Sequence, residues 1–159
     1  MSNPILLHDL LAELASHAGE RTVRPASEDA IANAEKVVQR PFPDSYKWFL
    51  RNVGYTSWPE MIYGVGDDLR PGQTIVRATQ REESLAEPPL QAHLVPISPD
   101  GWGNHFCLDT SQIHDGDCPV VFWDHEAGAD QTPPVVASGF YSWLLDLVTE
   151  SLQEEAAER

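Results

Sequence analysis

The chain has 159 residues and a formal net charge of −15, from 25 Asp and Glu against 10 Lys and Arg. A hydrophobic content of 42%, with five Trp, supplies enough apolar material for one core and makes a second domain unnecessary. No apolar run is long enough to span a bilayer, and MSNPILLHDLLAEL lacks the basic start and small-residue cleavage site of a signal peptide, so a cytoplasmic protein without a membrane partner is expected.

Charge is segregated along the chain. The first 81 residues carry ten acids and nine bases, whereas Glu82 to Glu158 carries fifteen acids and no Lys or Arg. A single-sign field speeds encounter with a cationic partner and repels nucleic-acid phosphates, so the expected partner is a basic protein and direct nucleic-acid binding is not expected. The competing account is that the acids serve solubility alone. Cys107 and Cys118, separated by ten residues, fit neither a dense disulfide scaffold nor a C-x-x-C motif and read as free thiols.

In chain order, Asn3 caps a first helix with Pro4 at its first position, and Leu7, Leu10, Leu11 and Leu14 form its apolar stripe up to Gly19. Ser27 caps a second, with Glu28 and Asp29 in the first turn and Ile31, Ala34, Val37 and Val38 as its inner face. Pro41 and Pro43 break it. Asp44 then caps a third, in which Tyr46, Phe49, Leu50 and Val53 repeat at helical steps before Gly54.

From Met61 the pattern changes to short β-rich runs: MIYGV, TIVRA, AHLVPI, HFCLD and PVVFW. Alternation places Phe106 and Leu108 opposite Cys107, and Val120 and Phe122 opposite Val121 and Trp123. The Ser/Asp/Gly-rich connection between the last two runs predicts an antiparallel hairpin. After Pro133 and Pro134, Ser138 caps a final helix with Phe140, Leu144, Leu147 and Val148 as its buried stripe and QEEAAER as a frayed end. The expected fold is α+β: a mainly antiparallel sheet packed with N-terminal helices and a C-terminal helix.

Chemistry-bearing residues gather at His105, Cys107, His114, Cys118 and His125, with Asp109, Asp124 and Glu126 near in sequence. Zinc sites use tight pairs such as C-x-x-C or H-x-x-x-H, and none occurs here, so no metal is expected. The alternative is histidines on the surface of a sheet edge and small buried thiols. A Cys–His nucleophile needs a reactive thiolate, and Cys107 lies in a packed-strand pattern that raises its pKa. Paired carboxylates need geometry as well as abundance. Neither phosphate-binding glycine motif is present, and YGVGDD would repel phosphate. Asp115-Gly116-Asp117 lacks the remaining ligands of a calcium loop. The chain is therefore expected to be non-enzymatic and to need no cofactor.

Trp102, between Gly101 and Gly103, and Trp58, between Ser57 and Pro59, stand apart from the core pattern. A loop Trp beside carboxylates is the kind of anchor that dominates protein interfaces, whereas Trp58 equally suits a cover over the sheet edge.

Across about residues 27 to 148 the chain resembles the SUKH superfamily of Smi/Knr-like proteins. The resemblance rests on SEDAIANAEKVVQRPFPDSYKWFL, with Pro43, Tyr46, Phe49 and Leu50 matching a Leu-Pro-x-x-Tyr-x-x-Phe-Leu segment and Phe42 in place of its Leu. It rests also on IYGV, DGWGNHFCLD, PVVFWDHE and a helix opening SGFYSWL. It implies one α+β domain over 1–159: a helix and linker over 1–26, the core over 27–148, and a helix end over 149–159. For bacterial members it implies immunity, the binding and neutralisation of a toxin that is often a nuclease, and it brings no catalytic residues. Fungal relatives imply the alternative of a regulatory or scaffold module. The candidate partner contacts are Asp100, Trp102, Asp109, Asp115, Asp117, Asp124 and Glu126, in loops and strand ends of the acidic half. Tyr46, Phe49, Leu50, Phe106, Leu108, Phe122, Phe140 and Leu144 are assigned to the core.

Overall fold

The computed structural model describes residues 7–18 and 25–159, and these form five α-helices and four strands. Helix α1 spans Leu7–Ala18 and buries Leu10 and Leu14; its expected cap Asn3, with Pro4 and the stop at Gly19, lies outside the described residues. Helix α2, Glu28–Val38, starts where Ser27 Oγ accepts the Ala30 N–H at 3.1 Å, and it buries Ile31, Ala34 and Val38. Val37, expected inside, is 45% exposed because it lies one helical step beyond the 3.6-residue stripe. Helix α3, Asp44–Asn52, is preceded by extended Pro43, so Asp44 occupies its first turn and is not the cap. The cap is supplied from a distance, since Ser45 N–H donates to Gly116 O at 2.9 Å.

Two of the five β-rich runs are not strands. MIYGV forms only isolated bridges, Thr56 to Ile62 and Gly64 to Thr74. The chain crosses itself there: a Cβ on Gly64 would sit 1.9 Å from Gly54 O, so only glycine allows the approach. TIVRA opens helix α4, Ile75–Ser84, with Thr74 Oγ1 accepting the Arg77 N–H at 3.3 Å. The β-branched residues suggested a strand, but Ile75, Ala78, Thr79 and Glu82 are buried at helical spacing, and packing overrides propensity.

The sheet order is β1-β2-β3-β4, antiparallel throughout: Leu94–Pro99, His105–Asp109, Val120–Trp123 and Val135–Ala137. Pro96 is tolerated because β1 is an edge strand. The other edge, β4, is a strand that the sequence pattern did not show, since Pro133 and Pro134 lead directly into it. The β2–β3 hairpin pairs His105 with Trp123 at one end and Leu108 with Val120 at the other.

Alternation holds, and both faces are covered. Leu108 and Val120 join the helical core, whereas Cys107, Val121 and Trp123 pack with Leu90 and Leu94 on the opposite face. Phe106 and Phe122, assigned to the core, are only half-buried, their rings tilted at 60° to each other with centroids 5.3 Å apart. Helix α5, Phe140–Ala157, is preceded by Gly139 in the cap position expected for Ser138. The helix runs to Ala157, and Glu155 accepts a hydrogen bond from Trp58 Nε1 at 3.2 Å and pairs with His17 Nε2 at 3.1 Å. At the centre, Tyr46, Phe49 and Phe140 are fully buried ring against ring, and Tyr46 Oη donates to Tyr63 O at 2.6 Å.

Candidate protein-binding surface

The β1–β2 connection is built around one carboxylate. Asp100 Oδ1 accepts the N–H groups of Trp102 at 2.7 Å and Asn104 at 3.0 Å, while Oδ2 accepts Asn104 Nδ2 at 2.8 Å. Gly101 and Gly103 supply the φ values of +86° and +94° that this tight turn needs. Burial alone would push Asp100 up, but these three hydrogen bonds together hold its carboxyl below the usual range. Asn104 carries the brace onward, its Oδ1 accepting from His125 N at 3.1 Å and His125 Nδ1 at 2.6 Å. The turn after β3 is closed in the same way, with Asp124 Oδ1 accepting the Glu126 N–H at 2.9 Å.

Trp102 stands at the tip of this loop and is 83% exposed. An indole in water on a backbone fixed by its neighbours loses little conformational freedom on binding. Asp100, Asp124 and Glu126 surround it in sequence and topology, because the register joins the start of β2 to the end of β3.

The seven candidate contacts do not form one surface. Asp100, Trp102, Asp124 and Glu126 gather at this end of the hairpin, whereas Asp109, Asp115 and Asp117 belong to the other, about 14 Å away along a five-residue strand. Two of these three are turned inward. Asp109, 8% exposed, accepts from Ser111 N at 3.1 Å, Ser111 Oγ at 2.5 Å and Gln112 Nε2 at 3.3 Å. Asp117 Oδ1 accepts from Ser45 Oγ at 2.7 Å, Cys118 N at 2.8 Å and Phe140 N at 2.8 Å, tying α3, β3 and α5 together. Asp115 is exposed, with φ +52° at the turn. Sequence reasoning missed the braces Asn104 and His125. An Asp followed by Gly-x-Gly-Asn was the available signal for the first, while the second depends on pairing across the sheet.

Trp58 does not cover the sheet edge. It stacks on His17 at 3.7 Å and closes the junction of α1 and α5.

The His/Cys cluster is dispersed. His105 is not a surface group: it is 3% exposed, with Nε2 3.3 Å from Tyr63 Oη and Nδ1 3.8 Å from Glu82 Oε1. Burial, with Arg81 adding to it, lowers its pKa to about 4. Both thiols are buried and free; burial raises Cys107 strongly and pushes Cys118 up to about 12, which leaves them unreactive at neutral pH. Among the described residues no group of three or more His, Cys, Asp or Glu is placed to hold a metal ion, and no helix is long and apolar enough to cross a membrane.

An antiparallel sheet packed with helices, carrying a braced and exposed Trp among carboxylates, defines an α+β domain suited to contact with another protein. Residues 7–149 match the family described as SUKH_5, SMI1-KNR4 cell-wall, and the chain belongs to that family. The match includes all four strands, both acidic turns and the first half of α5.

Proposed function

We propose that this protein is a non-enzymatic immunity protein that binds and neutralises a basic toxin, of which nucleases are one kind, in the cytoplasm. The observation that carries the reading is Trp102, 83% exposed on a loop whose backbone is fixed by Asp100. Rigid aromatic anchors concentrate binding energy, and the adjoining carboxylates complement the cationic surface that a nuclease needs for its own substrate. Asp100 acts by shaping the loop, Asp124 and Glu126 by charge. Asp115 adds to the long-range field from the opposite end, while Asp109 and Asp117 keep the frame. Neutralisation then follows from steric cover of the toxin, with no substrate turned over.

The test is co-expression with any secreted-toxin gene encoded beside this one. Rescue of growth and a stable purified complex are expected, with Trp102→Ala weakening the complex about 30-fold, as loss of a hot-spot residue does. Wild-type protein that neither binds nor rescues would instead favour a regulatory or scaffold module, the reading to which the family's cell-wall description points.

A further inference from the structure

The outer face of α4 breaks the charge pattern of the molecule. Arg77, Gln80, Arg81 and Ser84 recur at steps of three and four, form one stripe, and are all exposed. No carboxylate lies on the stripe itself, although Glu82 beside it reaches Arg81 at 3.6 Å. Glu82 turns inward beside His105, and Glu83 pairs at 2.5 Å with buried Arg40. The stripe borders an open groove of about 490 Å³ whose other wall is Pro71 and Gly72 and whose end is Leu85, 80% exposed. A cleft of about 390 Å³ continues from Pro71 and Arg77 toward Val65 and Leu69, with Asp67 the one acid among its described lining.

Arg77 has no ion-pair or hydrogen-bond partner for its guanidinium among the described residues. Arg81 pairs with Glu82 at 3.6 Å and remains 51% exposed at its side chain. A solvated guanidinium alone implies no ligand. Here, however, two of them share a concave wall with an amide and a hydroxyl, the first groove has no described acid in its lining, and an apolar residue stands open at its end. In a chain of net charge −15 that composition selects against a basic occupant.

We infer that this groove is a second docking site, for a carboxylate-rich polypeptide segment bearing an apolar side chain. The guanidinium forks of Arg77 and Arg81 take carboxylates, and Leu85 with Pro71 takes the apolar group. Since the rest of the molecule repels acids at long range, the site discriminates at contact distance, where the two Arg dominate. The inference stands independently of the toxin reading.

The experiment titrates the ¹⁵N-labelled full chain with an alternating glutamate–leucine peptide, and separately with its lysine–leucine counterpart, up to about 1 mM, a range in which weak complexes are still seen. The acidic peptide is expected to shift amides of residues 71–85, and Arg77→Glu to weaken that response about tenfold or more. Arg77 is exposed, so the variant should fold; a matching melting temperature checks this, and Gln80→Glu is the second variant. Absence of any shift, shifts centred elsewhere, or an undiminished response in both variants would overturn the inference. The same Arg77→Glu change should leave association with a basic partner unchanged or faster, so the two docking proposals fail separately.

Discussion

Replacing Asp117 by Ala tests whether an acid in the base-free half supports the fold or touches a partner. One oxygen of Asp117 accepts three hydrogen bonds, and two come from backbone N–H groups: Cys118, two residues before β3, and Phe140 at the start of α5. Truncation strips the α5 N-terminus of its acceptor, a loss worth about 0.5–2 kcal/mol for a helix cap. The Ser45 hydroxyl and Cys118 N–H also lose a charged partner, at about 1–3 kcal/mol for each group that water fails to reach. Asp117 is only partly buried, so water recovers some of this, and a net cost of about 2–4 kcal/mol is expected. For a chain of this length that lowers the melting temperature by roughly 4–16 °C. Thermal unfolding followed by circular dichroism measures it, with Asp115→Asn as the control. Asp115 is exposed, and Asn keeps the left-handed turn conformation, so a change within about 0.5 kcal/mol is expected there. An Asp117→Ala protein that melts like wild type but loses its partner would refute the assignment and return Asp117 to the interface.

Three further outcomes follow from the same geometry. Phe49→Ala removes a fully buried ring packed on Tyr46 and Phe140 and should cost about 3–5 kcal/mol in denaturant unfolding; unchanged stability would deny it a core role. His105 has a folded pKa of about 4 against an ordinary 6.5, so the unfolded chain binds the extra proton, and stability falls as pH drops from 6.5 toward 4. The loss reaches about 3 kcal/mol; Glu82, whose pKa burial raises, opposes it at the acidic end, and His105→Gln should flatten the slope in urea titrations across that window. Reversing exposed Glu126 to Lys should slow association with a basic toxin without lowering the melting temperature, and the wild-type rate should itself fall with salt, since exposed charges are screened beyond about 10 Å at 0.1 M. A rate indifferent to both changes would leave the carboxylates as a solvated face.

What the sequence made legible was set by local signals. Ser27, the Tyr46-Phe49-Leu50 stripe and the alternation of HFCLD and VVFW each declare their structure within a few residues, so α2, α3, β2 and β3 lie where the pattern placed them. Failures occurred where a distant group decides the outcome. Helix α4 was read as a strand because Thr74, Ile75 and Val76 are β-branched, and only burial of Ile75, Ala78 and Thr79 against the core fixes the helical period. That error also hid the Arg77–Arg81 stripe, which exists only once the segment coils. Nothing in QEEAAER signals that Glu155 meets His17 and Trp58 from other elements, so the end of α5 reads as free in the sequence. The candidate surface divides along the same line. Trp102 was legible, because Gly-Trp-Gly after Asp encodes its own turn, whereas Asp117 looked like a loop acid until α3 and α5 were seen to converge on it. Abundance of acid in a sequence therefore measures the field around this molecule, and only the hydrogen bonds each carboxylate makes decide which acids remain free to meet a partner.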